Sequence, residues 1–204
     1  MSHLLTEEAR QSDIIPAISA VGTLFPIGKM DAHRTGALHL AVSVFVFRGA
    51  KMLLQRRAKT KYHCGDQWAN TCCTHPHWGE TLHAAATRRI VEELGASFVL
   101  SPRNRIIYRT SVGNGLVEHE DVRIFRGEAN SELRLKTNPA EVSATRWATV
   151  DEIRAEMRRN PRNFAPWLRI YLARWSELGL DELPAHTCDG PVVPKAGRLT
   201  AAPA

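Results

Sequence analysis

The sequence predicts an α/β fold, an α+β sandwich in which a mixed β-sheet is flanked by helices. Segments with the composition of buried strands alternate along the chain with segments of helical periodicity, the pattern of a layered sheet-and-helix domain. With 204 residues, 44% of them hydrophobic, the chain can bury one sizeable core. We therefore expect one domain at residues 21–183, an N-terminal extension at 1–20 and a disordered, proline-rich tail at 184–204.

Four segments are predicted to be strands. The run 39–47 is apolar on both faces and rich in β-branched and aromatic residues, which indicates a strand in the centre of the sheet. The other three predicted strands are 51–57, 105–112 and 116–126. The first of these follows the central strand across a turn at Gly49, and the last two are joined by Gly113-Asn114-Gly115, a sequence typical of a hairpin turn.

Three segments are predicted to be helices. Between residues 80 and 94 apolar side chains recur near helical spacing, and Gly95 stands where a glycine commonly ends a helix. A second helix is expected from Val150 to about Arg159, before Pro161. A third begins near Pro166, because proline is tolerated in a first helical turn. Its apolar stripe consists of Trp167, Leu168, Tyr171, Leu172 and Trp175.

The cysteines and the apolar segments indicate where the protein works. Two of the four cysteines are adjacent and the other two are Cys64 and Cys188, which is not a disulfide framework, so we expect reduced thiols and a cytoplasmic location. The N-terminus has no apolar signal region, and no stretch approaches about 18 uncharged apolar residues. We expect neither a signal peptide nor membrane insertion.

The net charge of +6 suggests an anionic partner. Basic residues are spread along the chain without the interleaved aromatic residues of a nucleic-acid surface, so a small phosphorylated ligand fits better than a polymer. We expect a small-molecule substrate and no nucleic acid. The sequence does not distinguish a monomer from a homodimer.

Glu118 and Glu120 are the first candidates for chemistry. Residues two apart in a strand point to the same face, about 6.5 Å apart at Cα, so both carboxylates can reach one metal ion while His119 points away. A solvated strand face is the competing interpretation. The same face continues into Val122 and Ile124, which indicates burial, and a buried carboxylate needs a partner or a metal.

Cys73 and His75 are expected to share one face of an extended segment, with Cys72 on the opposite face. Pro76 favours extended geometry for the histidine before it. Any one histidine is more often structural than a ligand. Three histidines and two glutamates together would make a nitrogen and oxygen site suited to Zn²⁺, Mn²⁺ or Mg²⁺. The histidines are His33, His39 and His75.

The predicted helix at 80–94 resembles the Nudix box. In that family a glycine is followed after five residues by a glutamate and, after seven more, by Arg-Glu-apolar-x-Glu-Glu-x-Gly. Thr74 replaces the first glycine, and Arg89 replaces the glutamate that follows the arginine. That glutamate belongs to the magnesium cluster with which Nudix hydrolases activate water, so the resemblance implies a Nudix-like fold and argues against hydrolysis. The matching residues are Glu80, Arg88, Glu92, Glu93 and Gly95.

Two further motifs make the resemblance more specific. Asn70-Thr71-Cys72-Cys73-Thr74-His75-Pro76 precedes the box and Glu118-His119-Glu120 follows it, an order that resembles type I isopentenyl-diphosphate isomerase over about residues 22–175. The resemblance implies that Cys73 and Glu120 are the catalytic pair and that Tyr108 assists Glu120. It implies a divalent-metal shell formed by His33, His39, His75, Glu118 and Glu120.

The same resemblance implies how the substrate is held. A magnesium ion would arrive with the substrate diphosphate near Glu93, and Trp167 would be an active-site aromatic residue. The diphosphate oxygens would face Arg57, Lys61 and Arg89. The implied reaction is the isomerisation of isopentenyl diphosphate to dimethylallyl diphosphate, by metal-assisted protonation and deprotonation, in isoprenoid biosynthesis.

Three other functions compete with this interpretation. A Nudix-type nucleoside diphosphate hydrolase would share the fold, but Arg89 argues against it. A structural zinc module could use Cys72, Cys73, His75 and a remote cysteine, but adjacent cysteines lack the usual gap between zinc ligands. A basic nucleic-acid binder is supported by the net charge alone.

Overall fold

Residues 13–181 of the computed structural model form nine strands and four α-helices. Their bounds are β1 (Ile14–Ile18), β2 (Leu24–Gly28), α1 (Lys29–Thr35), β3 (His39–Arg48), β4 (Lys51–Arg57), β5 (Trp68–Ala69), β6 (Cys72–Thr74), α2 (Leu82–Leu94), β7 (Leu100–Gly113), β8 (Leu116–Glu128), β9 (Val142–Thr149), α3 (Val150–Arg159) and α4 (Pro166–Ala173). Short 3-10 turns at Pro161–Asn163 and Trp175–Leu178 flank α4. None of the helices in this range has the length and apolar character needed to cross a membrane.

Strand β3 lies at the centre of the sheet, as its composition predicts. It pairs antiparallel with β1, β4 and β6 and parallel with β8. Farther from the centre, β2 pairs with β1, β5 and β9 pair with β4, and β7 pairs with β8. The combination of parallel and antiparallel pairs confirms the predicted mixed sheet.

The alternation of side chains along β3 divides the core into two layers. Phe45 belongs to the buried cluster that contains Leu168 of α4, whereas its neighbour Val44 belongs to the cluster that contains Ile90 of α2. Full burial of one such side chain stabilises the fold by about 1.5–3 kcal/mol. Helix α2 therefore covers one face of the sheet and helices α3 and α4 cover the other, which is the predicted sandwich.

The predicted helix at 80–94 forms as α2, and its ends have the expected chemistry. The Thr81 hydroxyl accepts a hydrogen bond from the Ala84 backbone N–H (3.2 Å), so Thr81 is the N-terminal cap and the helix begins at Leu82. Gly95 ends the helix with a φ of 59°. A Cβ at this position would lie 2.5 Å from the Lys136 carbonyl oxygen, so only glycine fits.

The expectation of an N-terminal extension up to residue 20 needs correction. Residues 14–18 form β1, in which Ile15 and Ala17 are buried, and β1 joins the sheet between β2 and β3. Pro16 and Pro26 face each other in the β1–β2 pair. Prolines weaken a strand pattern in sequence, which explains why this hairpin was not predicted. The rest of the expected extension, residues 1–12, and the expected tail at 184–204 lie outside the described residues.

Strands β3 and β4 pair at only two positions beside the Gly49 turn and then separate. Thr71 bridges the separation, because its hydroxyl accepts a hydrogen bond from the Val46 N–H (2.8 Å) and donates one to the Leu53 carbonyl (2.8 Å). The Asn70 side chain donates to a carbonyl of β3 (3.0 Å). These side chains replace backbone hydrogen bonds of the sheet and fix the segment that leads into Cys73.

Candidate active site

Three histidines from separate elements meet where β3 begins. His33 lies in α1, His39 opens β3 and His75 follows β6, and their ring centroids are 4.8–5.1 Å apart. Nδ1 of His33 lies 2.7 Å from the Lys29 carbonyl oxygen, and Nδ1 of His39 lies 2.8 Å from the Ala37 carbonyl oxygen. A carbonyl oxygen only accepts, so each Nδ1 carries a proton and each ring directs its Nε2 into the cluster.

The Nε2 atoms of the three histidines face one another in the cluster. Nε2 of His39 lies 3.2 Å from Nε2 of His75, and Nε2 of His33 is buried without a hydrogen-bond partner among residues 13–181. Burial lowers the pKa of His39 to about 4 and holds the pKa of His75 well below its ordinary value. Both rings are therefore neutral at pH 7, which is the form in which histidine binds metal ions.

Glu118 and Glu120 of β8 point into the same cluster and are buried, as their spacing predicts. Nε2 of His75 lies 2.8 Å from Oε1 of Glu120, and Nε2 of His33 lies 3.8 Å from Oε1 of Glu118. The structure thus brings together all five residues of the predicted metal shell. Sets of ligand atoms within 4.8 Å of one another are His33/His39/His75, His75/Glu118/Glu120 and His33/His63/Glu118. A divalent ion fits this donor set, since imidazole nitrogens and carboxylate oxygens suit Zn²⁺, Mn²⁺ and Mg²⁺.

The two glutamates have opposite pKa shifts. Burial and the negative charge of Glu118 raise the pKa of Glu120 well above its ordinary value. Burial also opposes ionisation of Glu118, but contacts with the His33 and His63 rings hold the pKa of that carboxyl well below its ordinary value. The opposite shifts place a proton that the pair shares on Glu120.

Tyr108 joins the pair from the neighbouring strand. It is the cross-strand partner of Glu120 in the β7–β8 ladder, and its hydroxyl donates a 2.5 Å hydrogen bond to Oε2 of Glu120. Burial raises the pKa of Tyr108 well above its ordinary value, so the phenol remains a proton donor.

Cys73 faces the same side of the sheet as the glutamates, and Cys72 faces the other side. Cys73 packs beside the cluster of α3 and α4, whereas Cys72 is buried in the cluster of α2, as strand alternation predicts. The two sulfurs cannot share one ion, which argues against a zinc module. The Cys73 thiol donates to the Asn70 side-chain oxygen (3.1 Å) and lies 3.2 Å from the Ser43 hydroxyl. Burial raises the pKa of the Cys73 thiol to about 12.

These groups line one cavity of about 290 Å³. Its walls include Cys73, Tyr108, Glu120 and Trp167, so the predicted proton-transfer residues and the predicted aromatic residue share a single space. The Arg57 guanidinium lies over the Trp167 ring, 5.3 Å from its centroid. The cavity thus has an aromatic wall next to a cationic one.

Comparison with known proteins identifies the family. The NUDIX domain matches residues 37–168. An isopentenyl-diphosphate Delta-isomerase of Dinoroseobacter shibae is 50% identical over 166 residues, which is 81% of this chain and 94% of that protein. Those of Cereibacter sphaeroides and Rhodobacter capsulatus are 47% and 46% identical over 167 residues, again 81% of this chain and 94% of each relative. The chain belongs to the isopentenyl-diphosphate Delta-isomerase family, within the Nudix superfamily.

Solved structures agree with this assignment at the level of the fold. The protein DR0079 of Deinococcus radiodurans matches with a TM-score of 0.63 at 14% identity, covering 79% of this chain and 98% of that one. The Nudix hydrolase RenU of M. smegmatis matches with a TM-score of 0.52 at 20% identity, covering 79% and 92%. The Nudix-like fold implied by the helix motif is therefore confirmed for this member of the isomerase family.

The cationic wall contains Arg57, Lys61 and Arg89, the three residues predicted to face the diphosphate, and the Glu93 and Glu141 carboxylates hold the last two. Lys61 Nζ and Arg89 Nη2 each lie 2.5 Å from Oε2 of Glu141, and Arg89 Nε lies 2.8 Å from Oε1 of Glu93. Burial raises the pKa of Glu93. Glu93 lies at this wall and in none of the three ligand sets, so the structure separates it from the His/Glu cluster. Arg89 replaces a carboxylate of the hydrolytic Nudix box and pairs with three others, those of Glu92, Glu93 and Glu141.

Several residues of the site in this isomerase-family chain were not predicted. Lys29 and Tyr62 line the cavity, with Lys29 Nζ 5.1 Å from the Tyr62 ring centroid. Burial and the charges of Lys61 and Arg89 lower the pKa of Lys29. Ser43 was missed although it shares the face of His39 on β3, and two-residue spacing could have indicated it. The remaining missed residues are His63, Glu141 and Tyr171.

Proposed function

We propose that this protein isomerises isopentenyl diphosphate to dimethylallyl diphosphate by one protonation and one deprotonation, in isoprenoid biosynthesis. The observation that carries the proposal is the single cavity in which a protonated carboxyl, a thiol and an aromatic face meet a cationic wall. The cations match a diphosphate, and the other three groups match an alkene that gains and loses a proton.

The proton balance assigns a role to each residue. The Glu120 carboxyl, held by Tyr108, gives its proton to the terminal CH₂ carbon of the substrate, and the alkene electron pair forms the new C–H bond. A tertiary cation results at the branched carbon. The Cys73 thiol first loses its proton to solvent, and the resulting thiolate takes a proton from the neighbouring CH₂ on the diphosphate side, whose C–H electron pair becomes the new double bond. The diphosphate is unchanged and no electrons are gained or lost overall.

The environment supports this sequence of steps. The raised pKa of Glu120 keeps a proton available at neutral pH, and the raised pKa of Cys73 makes its thiolate a strong base. The Trp167 face stabilises the tertiary cation by cation–π attraction, worth on the order of 2 kcal/mol in a dry site. Burial of the cavity walls excludes water that would otherwise capture the cation.

The metal shell comprises His33, His39, His75, Glu118 and Glu120. A Mn²⁺, Zn²⁺ or Mg²⁺ bound there would supply positive charge that orients Glu120 and sets its proton affinity. A separate Mg²⁺ would accompany the diphosphate at the wall of Glu93. The proteins of the family named above are isomerases, and Arg89 disfavours the alternative of a nucleoside diphosphate hydrolase.

We extend the proposal to the setting of the protein. Cys64, Cys72 and Cys73 are free thiols, consistent with a reducing compartment, so we place the protein in the cytoplasm. Its partner is a small isoprenoid diphosphate rather than a nucleic acid, and it acts as a monomer or a homodimer. The functional domain is residues 13–183, with the N-terminal boundary moved to include β1.

The decisive experiment is incubation with isopentenyl diphosphate and Mg²⁺ in D₂O. We expect dimethylallyl diphosphate with deuterium in a methyl group, because the donated proton exchanges with solvent before transfer. Release of inorganic phosphate from nucleoside diphosphates, without isomer formation, would contradict the proposal and support the hydrolase.

A further inference from the structure

His63 is a buried histidine to which the proposed reaction gives no role. It lies in the loop between β4 and β5 with only 4% of its surface exposed. Its ring packs edge-on against Tyr62 and Trp167, at centroid distances of 4.2 and 5.7 Å, and stacks on His33 at 5.8 Å. A buried imidazole needs polar partners, so its contacts indicate what it does.

Nε2 of His63 lies 3.1 Å from Oε1 of Glu118, but not in hydrogen-bonding geometry, so both ring nitrogens are buried without a hydrogen-bond partner in the described part of the chain. The other measured contacts of Glu118 are longer. His33 Nε2 is 3.8 Å away and the Tyr108 hydroxyl is 3.4 Å away. The shortest of these three contacts is that of His63, and a small rotation of its ring would let an Nε2–H donate to the carboxylate oxygen.

His63 could instead be a metal ligand, and the ligand sets decide between the two roles. Among residues 13–181 its nitrogen falls in a set only with His33 and Glu118. His33 directs a single Nε2 toward the cluster, so it can serve an ion shared with His63 or one shared with His39 and His75, but not both. Every residue of the shell proposed above lies in one of the other two sets, whereas His63 reaches only His33 and Glu118, so we place the ion with the shell and His63 beside it.

We propose that His63 is a positioning residue of the metal centre, whose Nε2–H turns to donate to Oε1 of Glu118 when the ion is bound and holds that carboxylate in its ligating orientation. The inference rests on the metal centre of the proposed function. Carboxylate ligands are themselves held by hydrogen bonds, and removal of such a partner commonly weakens metal binding by about 10- to 100-fold.

The test measures metal affinity in three variants of the full chain, without substrate. His63→Gln keeps an N–H donor near the position of Nε2, His63→Asn keeps polarity with a donor too short to reach Glu118, and His63→Leu removes the donor at similar volume. Each protein is stripped with chelator and titrated with Mn²⁺, with free Mn²⁺ followed by electron paramagnetic resonance. His83→Gln, at an exposed histidine of α2, is the matched control.

We expect His63→Asn and His63→Leu to bind Mn²⁺ about 10- to 100-fold more weakly than wild type, and His63→Gln and the control to bind within about threefold of it. If His63→Leu does not fold, the Gln and Asn variants still decide. Affinity unchanged in both the Asn and Leu variants, or lost equally in Gln and Asn, overturns the proposal.

A Co²⁺ absorption spectrum distinguishes a ligand from its hydrogen-bond partner. At saturating Co²⁺ we expect the d–d bands of the His63 variants to match those of wild type, because the ligands are the same. Altered bands would show that His63 binds the ion directly and would overturn the positioning role. A wild-type protein that binds neither ion would overturn the metal centre itself, whereas a shift confined to the His63 variants concerns His63 alone.

Discussion

The Tyr108 hydroxyl donates a 2.5 Å hydrogen bond to Oε2 of Glu120, its partner across the β7–β8 ladder. Sheet register alone places these two side chains together, since paired residues in adjacent strands face the same side. The bond fixes one carboxylate oxygen of Glu120 and leaves the other directed at His75. Glu120 is therefore held between the cavity and the cluster of histidines proposed to bind a metal ion.

Tyr108→Phe should lower turnover while leaving substrate binding largely intact. The lost bond to a buried carboxyl is worth about 1.5–3 kcal/mol, or roughly ten- to a hundredfold in rate if it acts on the proton-transfer step. Tyr62→Phe is the matched control, because the Tyr62 hydroxyl lies in the same cavity and makes no hydrogen bond within residues 13–181. Steady-state isomerisation kinetics of the two variants give the comparison. An equal loss of turnover in the two variants would contradict a specific role of Tyr108 in proton transfer.

The neighbouring cysteines should respond differently to the same substitution. Cys73→Ser keeps the size but weakens the proton-transfer group, so turnover should fall by at least about a hundredfold. Cys72→Ser places a hydroxyl in the apolar cluster of α2 and should cost about 1–3 kcal/mol of stability, with turnover retained. Isomerisation and thermal unfolding are measured for both. An active Cys73→Ser protein beside a folded, inactive Cys72→Ser protein would reverse the assignment.

Metal content should depend on the proposed shell. We expect the purified protein to hold about one divalent ion per chain, and His75→Ala or Glu118→Gln to lose that ion together with activity. His83→Ala provides the control at a histidine remote from the shell. Elemental analysis of each protein after gel filtration is the measurement. Wild-type metal content and activity in both shell variants would show that the site is assigned wrongly.

The basic wall should act on substrate affinity. Lys61→Ala removes a charge-assisted contact to the diphosphate worth about 1.5–3 kcal/mol, so KM should rise by about ten- to a hundredfold while kcat falls less. Arg57→Ala should behave similarly, with added instability because Arg57 packs on Trp167. Arg56→Ala is the control, since Arg56 pairs with Asp66 (3.0 Å) outside the cavity. A large loss of kcat at unchanged KM would contradict a role in diphosphate binding.

The ion pair beside the cavity should make stability depend on pH. Burial opposes ionisation of Glu80, but hydrogen bonds from Arg88 and from the His77 backbone N–H outweigh it and lower the pKa of Glu80 below 4.5. A depressed folded-state pKa contributes stability above the unfolded value, and this contribution is lost as pH falls through the folded one. Glu80→Gln should therefore lower the urea midpoint at pH 7, and the difference from wild type should shrink below about pH 4.

A control separates this effect from general loss of charge. Glu132→Gln changes an exposed glutamate that forms no ion pair among the described residues. Its urea midpoint should match wild type at both pH values. A Glu80→Gln deficit that stays constant from pH 7 to pH 3.5 would mean that the carboxylate charge is not the cause.

The elements with strong local patterns were predictable from sequence. The central strand, the hairpin of β7 and β8, and helices α2, α3 and α4 have hydrophobic periods that span whole elements. The missed elements lack such patterns. Helix α1 has only seven residues, and β1 and β2 contain prolines. Strand β9 also went unpredicted, and pairing with β4 places it in the sheet.

The site shows the same division. Glu118 and Glu120, like Cys73 and His75, share faces through two-residue spacing, so local geometry predicts each pair. The contact of Ser43 with Tyr171 (2.8 Å) joins residues 128 positions apart, and that of His63 with Glu118 depends on the path of a loop. Cys64 and Asp66 in this loop adopt positive φ values of 50° and 66°. Such values are uncommon for residues other than glycine, so the sequence does not indicate this loop conformation. Such contacts arise from tertiary packing alone.

The position of the Cys73 thiol depends on two strands of the sheet, because Thr71 binds both of them. Its hydroxyl joins β3 to β4 where their backbones have separated, so the segment leading to Cys73 cannot detach as a flexible loop without breaking bonds to both strands. Amide hydrogen exchange at Val46, whose N–H is bound by this side chain, should then require large-scale unfolding instead of local fluctuation. Evolution of new substrate preferences in this fold has more freedom in the loops around the cavity than in the segment that carries the Cys73 thiol.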